Sequence, residues 1–374
     1  MNHGRTPRID PRGGNQGFYA ALDLGTNNCR LLVAAPARTG FRVVDSFSRI
    51  VRLGEGLQAS GRLSQPAMDR ALDALTACTT RMSRRPMRSI RAVATEACRQ
   101  AANGAEFLAR VRARTGLAFE IITPREEAML ALESCAPLLL PSARRALLFD
   151  IGGGSTELAW VRLDAGGRQP DLIGYASLPV GVVTLAERHG AAGFTPPGFD
   201  AMADEVRHRL VAFEQTHCIA HEMRLGGVQV IGTSGTVTTL AGAALNLARY
   251  RRPLVDGTTL SAAATGQALE MLRGLGRDGL TRHPCVGPER ADFVLPGCAI
   301  FQAMRDTWPI AEVTVADRGL REGMLLRMMR QPPHNRPAAT GAAPGAAPGA
   351  ATGAATGAAN AHPVASPAAG PVSA

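Results

Sequence analysis

The feature that most constrains this chain is a repeated strand, turn and strand in which an aspartate closes the first strand. "ALDLGTNNCRLLV" carries Asp23-Leu-Gly25-Thr26, and "LLFDIGGGSTELAW" carries Asp150-Ile-Gly152-Gly153-Gly154-Ser155. In each, an apolar run enters the acid, glycine and hydroxyl residues make the turn, and a second apolar run follows, the signature of a hairpin. Phe18–Leu24 and Leu31–Ala35 read as the strands of the first hairpin. "FRVVDSFSRIVRL" adds a third strand, and Ser64 is placed to cap a helix over "QPAMDRALDALTACTTRMSR". "SIRAVATEAC" reads as a strand, residues 99–115 as one helix and "AFEIIT" as a strand. "PREEAMLALESCAPLLL" has the Pro and first-turn acids of a helix start.

The second half repeats the order. "LIGYASLPVG" is a strand, helices are expected near residues 182–188 and 200–216, and "GGVQVIGTSGTVTTLAGAALNL" and "AEVTVADRGLREGMLLRMM" each read as strand, polar turn, helix. The chain is therefore expected to be α/β, with two similar domains facing a cleft. The boundaries expected are an arm at 1–17, domains at 18–135 and 136–330, and a tail at 331–374. The tail is mostly alanine, glycine and proline with too few large apolar residues to offset ordering entropy, and the arm is polar.

Composition narrows the partners. All 41 basic residues are arginine and the formal charge is +10. Such a charge suits polyanions, and guanidinium suits bidentate phosphate contacts. Aromatics are only 4% of the chain, too few for stacking platforms, so nucleic acid is not the expected ligand. No apolar run is long enough to span a membrane. Seven scattered cysteines without a C-x-x-C pair argue against a zinc site and a disulfide framework, and fit a reducing cytoplasm.

The turns carry the chemistry. Four are rich in glycine or small polar residues: Gly25–Asn28, Gly152–Thr156, Gly232–Thr236 and Asp317–Gly319. Consecutive backbone N–H groups in such turns form anion-binding concavities, and glycine allows close approach. None is a Walker A loop, since no G-K-[ST] is present. A carboxylate beside a phosphate needs a bridging cation, and magnesium takes one or two carboxylates with phosphate oxygens. Asp150 and Glu157, on either side of the second turn, are the candidates for that metal. Asp23 either joins them or bonds its own turn amides. Of Glu126 and Glu127, about 100° apart on a helix, only one can face a cleft, where it could deprotonate water; spacing alone favours ordinary helix-start acids.

Six blocks in order, "ALDLGTNNCRLLV", "ATEACRQAANGAEFLARV", "EIITPREEAMLAL", "LLFDIGGGSTELAWV", "VIGTSGTVTTLA" and "VADRGLREGMLL", resemble the exopolyphosphatase / guanosine pentaphosphate phosphohydrolase (Ppx/GppA) family in its short two-domain form. The resemblance implies two ribonuclease-H-like domains of the actin, sugar kinase and chaperone ATPase superfamily. It implies a Mg²⁺-dependent hydrolase of polyphosphate or of pppGpp, commonly a homodimer. It assigns the catalytic glutamate to Glu127 and cation-associated carboxylates to Asp150 and Glu157. Phosphate contacts are expected from Gly25, Thr26 and Asn27, from Arg99, from Gly152, Gly153, Gly154 and Ser155, and from Ser234, Gly235 and Thr236. Arg52 and Arg321 are expected on further phosphates. Many members have V-H-G where this chain reads Val255-Asp256-Gly257, an anion in place of a possible cation, which is expected to weaken binding of a long anionic chain or to alter which substrate is preferred. Two rivals remain: an ATP-dependent kinase of the same superfamily, and a non-catalytic sensor of these phosphates.

Overall fold

The computed structural model describes residues 17–163 and 170–330. The expected arm up to residue 16 and the expected tail from 331 lie outside the described residues. The first sheet is built from β1 (Phe18–Leu24), β2 (Asn28–Pro36), β3 (Phe41–Ile50), β4 (Met87–Ala94) and β5 (Phe119–Ile121), in the order β3-β2-β1-β4-β5. β1, β2 and β3 form an antiparallel meander, and β4 and β5 run parallel to β1. The second sheet uses β6 (Arg145–Ile151), β7 (Thr156–Arg162), β8 (Asp171–Leu178), β9 (Val228–Thr233), β10 (Thr259–Ser261) and β11 (Glu312–Ala316), in the order β10-β11-β9-β6-β7-β8. It repeats the meander and the two parallel strands, then adds β10 as an antiparallel edge. This is the ribonuclease-H-like strand order, twice.

The duplication extends to burial: β1 and β6 alternate in the same sequence of buried and partly exposed positions, with the aspartate partly exposed in each. Parallel neighbours need crossover connections. Helix Gln65–Met82, N-capped by Ser64 as expected, crosses between β3 and β4 and buries Ala67, Met68, Ala71, Leu72, Leu75 and Cys78. The single helix expected over residues 99–115 is two helices, Glu96–Gln100 and Gly104–Thr115. The break is fixed by Asn103, whose side chain accepts from the Leu63 amide at 2.8 Å and donates to the Leu63 carbonyl at 3.0 Å. Between β9 and β11 lie helices that the sequence patterns left unassigned, the longest being Ala291–Thr307, which packs on helix Pro196–His217.

Two helices join the sheets. Pro124–Cys135 turns Ala128, Ala131, Leu132 and Cys135 to the second sheet, where they meet Ala146, Leu148, Ala159 and Ile231. Its Leu130 joins Leu320, Met324 and Leu325 against Tyr19, Ala21 and Leu32 of the first. Leu320–Arg330, counted with the second half in the sequence boundaries, thus packs on the first sheet. Gly323 lies against the Leu130 backbone, where a Cβ would collide, so the two helices approach closely. The chain therefore passes between the lobes twice, once after Cys135 and once near Asp317–Leu320. No described helix is long and apolar enough to cross a membrane. All seven cysteines are unpaired, and six are buried.

Candidate active site

Both hairpins deliver their turns to one cleft of about 690 Å³. The turns close identically: Gly25 N–H donates to Asn28 O at 2.9 Å, and Gly152 N–H to Ser155 O at 2.9 Å. Asp23, Gly25, Thr26 and Asn27 line the cleft from the first lobe, and Asp150, Gly152–Ser155 and Glu157 from the second. The two turns also touch. A Cβ on Gly153 would lie 3.2 Å from Asn27 N, and one on Gly154 would lie 2.7 Å from Thr26 Oγ1. These glycines are therefore required by turn-to-turn packing whether or not a ligand is bound.

The third turn, Ser234, Gly235 and Thr236, lines the same cleft. It joins β9 to helix Gly235–Ala244, whose first amides have no partner within the helix. Ser234 has φ 87 and ψ −177, a conformation open mainly to glycine. Its hydroxyl donates to Ile151 O at 2.7 Å, tying this turn to the end of β6. The helix start therefore points unused N–H groups and a favourable dipole at the cleft. The fourth turn, Asp317–Gly319, also lines it, with Gly319 N–H donating to Glu322 Oε2 at 3.0 Å.

The paired acids part company on helix Pro124–Cys135. Thr123 Oγ1 caps the helix by accepting from Glu126 N at 3.2 Å. Glu126 turns outward to Arg91 at 2.5 Å. Glu127 turns into the cleft, is only 8% exposed, and its Oε2 has no hydrogen-bond partner. Burial and the nearby Glu157 raise the Glu127 pKa well above the usual carboxylate range, against the lowering effect of Arg99. Burial likewise pushes Asp150 up to about 6, with Arg30 opposing and Asp23 adding. Glu157 is pushed up to about 7 by burial and by Asp150. Asp23 is raised by burial, with Arg30 and Arg321 opposing.

Asp150 and Glu157 are direct cross-strand partners in the β6–β7 register. Glu157 Oε1 accepts from Ser155 Oγ at 2.5 Å and Ser177 Oγ at 3.0 Å, which fixes the carboxylate. Among the described residues no group of three or more His, Cys, Asp and Glu side chains is arranged to hold an ion alone. Asp150 and Glu157 are two carboxylates on one wall of the cleft, a donor set that a hard divalent cation can take together with water and phosphate oxygens. The crowded acids supply the negative charge, and each is held above its ordinary pKa chiefly by burial.

Two arginines are not where the sequence reading put them. Arg99 does not line the cleft. It binds Glu96 through Nη2 and donates from Nη1 to Ile122 O at 2.7 Å, with Nη1 3.7 Å from Glu127 Oε2. Arg52 also lies off the cleft wall, its guanidinium 5.6 Å over the Phe293 ring. Arg321 does line the cleft, as expected. Asp256 does not: Arg318 takes both its oxygens, and Asp317 N–H donates to Oδ1 at 3.1 Å. Asp256 thereby anchors the fourth turn.

Sequence reading missed three cleft arginines, Arg30, Arg252 and Arg290. Arg30 stands opposite Asp23 in the β1–β2 register. Its signal was present, since it follows Asp23 at the same offset by which Glu157 follows Asp150. Arg290 precedes an unassigned helix and had no local signal. It donates to Gly235 O at 2.8 Å and Thr239 Oγ1 at 2.7 Å, bracing the third turn. Burial lowers the pKa of both Arg290 and Arg321.

The sequence pattern of the Ppx/GppA phosphatase family matches residues 32–332. A guanosine-5'-triphosphate,3'-diphosphate pyrophosphatase of Photobacterium profundum is 30% identical over 321 residues, 85% of this chain and 60% of the relative. The chain thus spans about 60% of that relative's length. Among solved structures, an exopolyphosphatase-like protein is 27% identical with a TM-score of 0.73, covering 83% of this chain and 97% of its own. The Aquifex aeolicus Ppx/GppA family member is 26% identical with a TM-score of 0.68, covering 84% of this chain and 97% of its own.

Proposed function

Because the chain belongs to the Ppx/GppA phosphatase family, we propose that it hydrolyses phosphoanhydrides, releasing terminal phosphate from inorganic polyphosphate or converting pppGpp to ppGpp. The observation that carries this reading is Glu127: buried, with an unpartnered Oε2, in a cleft otherwise walled by glycine and hydroxyl turns. A binding site for phosphate needs the turns; hydrolysis also needs a base held beside them.

Glu127 in its ionised form orients a water and takes its proton as the water oxygen attacks phosphorus. The raised proton affinity of this carboxyl makes it a stronger base than a surface glutamate. The bond from that phosphorus to the bridging oxygen breaks, and the shortened chain, or ppGpp, leaves with the bridging oxygen and its electron pair as orthophosphate forms. Amides of the Gly152–Ser155 and Gly235–Thr236 turns hold the transferring group, where preorganised donors stabilise developing charge. Asp150 and Glu157 would hold Mg²⁺, which when bound neutralises phosphate oxygens. Arg30, Arg290 and Arg321 give the cleft positive charge for the remaining phosphates. Asp23 is assigned a lesser part, because Arg30 stands across from it.

The test is phosphate release from polyphosphate and from pppGpp with magnesium, without ATP, wild type beside Glu127→Gln. Release from either substrate, lost in the variant, is the expected result. Binding without release by the wild type would overturn hydrolysis in favour of a sensor.

A further inference from the structure

Glu96 is a buried carboxylate that the reaction outlined above does not use. It opens the short helix Glu96–Gln100, is 9% exposed and lines the cleft. Both its oxygens are engaged: Oε2 accepts from Arg99 Nη2 and Oε1 from Gln100 Nε2. Arg99 is held on its other side by Ile122 O at 2.7 Å. So fixed, the guanidinium lies 3.7 Å from Glu127 Oε2, the oxygen that has no hydrogen bond of its own. Glu96 also meets the opposite lobe, since a Cβ on Gly154 would lie 3.2 Å from Glu96 Cγ. One side chain therefore touches the second-lobe glycine turn and clamps the cation beside the proposed base.

We propose that Glu96 is a positioning residue: through Arg99 it sets the place of the Glu127 carboxylate relative to the Gly152–Ser155 turn. The physical need is clear. A buried carboxylate without a hydrogen bond has no fixed rotamer of its own, and misplacing a reacting group by about 1 Å can cost on the order of 100-fold. A guanidinium held at two points supplies that fixed reference, whereas a free arginine would follow the substrate. Glu96 bears no phosphate, because its charge would repel one and both its oxygens are occupied. The proposal rests on the reading of Glu127 as the base.

The experiment combines kinetics and structure. Glu96→Ala should lower kcat about tenfold and leave KM within about twofold, Arg99→Met should do the same, and the double variant should be no worse than either. Groups acting as one unit are non-additive in this way. Glu96→Gln, which keeps the volume, should recover part of the loss. A raised KM at unchanged kcat, or additive losses, would overturn the proposal by making these residues substrate contacts or independent. The crystal structure of Glu96→Ala gives a readout that needs no turnover: the Arg99 guanidinium should have left Glu127. A guanidinium found unmoved would sink the idea whatever the kinetics. A wild type inert towards both substrates would instead count against hydrolysis, leaving the crystallographic arm to decide the positioning role.

Discussion

The two hairpins share one geometry and differ in charge. Each turn closes with the same 2.9 Å hydrogen bond. Each places an aspartate at the penultimate position of its strand, opposite the residue seven positions later. In the first hairpin that residue is Arg30; in the second it is Glu157. Arg30 opposes the burial-raised pKa of both aspartates, but only Asp150 has a second carboxylate as its cross-strand partner. That partner is Glu157, which burial and Asp150 together push up to about 7. The two hairpins thus present the same backbone with opposite charge across from the aspartate. The turns diverged in the same sense. Thr26 and Asn27 keep side chains that fill space, while Gly153 and Gly154 give way to them.

The largest expected effect tests what both hairpins serve. Glu127→Gln should cut kcat by about 10²–10⁴-fold while circular dichroism and melting show an intact fold; wild-type turnover would remove the glutamate from the mechanism. Next comes the direct comparison. Asp150→Asn should raise the magnesium needed for half-maximal activity by about tenfold or more, since ligand charge sets such affinities. Asp23→Asn should move it far less. Equal shifts in the two titrations would abolish the distinction drawn from Arg30 and Glu157.

A smaller effect concerns the turns. Gly154→Ala puts a methyl 2.7 Å from Thr26 Oγ1, whereas the nearest atom to a Cβ on Gly25 is 3.6 Å away. Gly154→Ala should therefore cost about 1–3 kcal/mol of stability, as overpacking does, and Gly25→Ala should cost less. Chemical denaturation of the two variants side by side would show it; a Gly25→Ala protein as unstable as Gly154→Ala would mean the turns are not differently packed.

The smallest effect is in the pH dependence of stability. Asp150 and Glu157 have folded pKa values of about 6 and about 7, raised above their ordinary values. A group raised on folding contributes stability that is present below its unfolded pKa and is lost as pH rises through the folded one. Without divalent cation, these two acids should therefore weaken the protein progressively between about pH 4 and pH 7. Asp150→Asn should remove part of that slope and raise Tm at neutral pH by about 2–5 °C. Melts in chelator at acid and neutral pH would measure it, and a variant that melts with the wild-type slope would contradict the assignment.

Much of this was legible in the sequence because it was local. Hairpin turns advertise themselves by glycine and hydroxyl residues between apolar runs, and helix starts by Ser64 and by Pro124 with its first-turn acids. The duplicated aspartates gave the two-lobed α/β architecture. Arg30 was legible but unread, since the offset that found Glu157 also finds Arg30. The expected arginines that do not line the cleft have a common reason. A motif specifies that Arg99 or Arg52 is near the site, but the direction of a long side chain depends on partners far away in sequence. For Arg99 these are Glu96 and the Ile122 carbonyl, and for Arg52 it is Phe293 on the other lobe. Asp256 carries a charge whose meaning changes once Arg318 is found beside it.

By itself the sequence determined the repeated strand order, the turns that meet a ligand and the acids available to work there, because each is set by side-chain period and backbone freedom over a few residues. Only the tertiary structure decided which of Glu126 and Glu127 enters the cleft, that Gly153 and Gly154 make room for the opposite turn, and that the last described helix returns to the first sheet. Those outcomes depend on surfaces that come together only when both lobes are packed, and no local pattern encodes the neighbour that a side chain will meet.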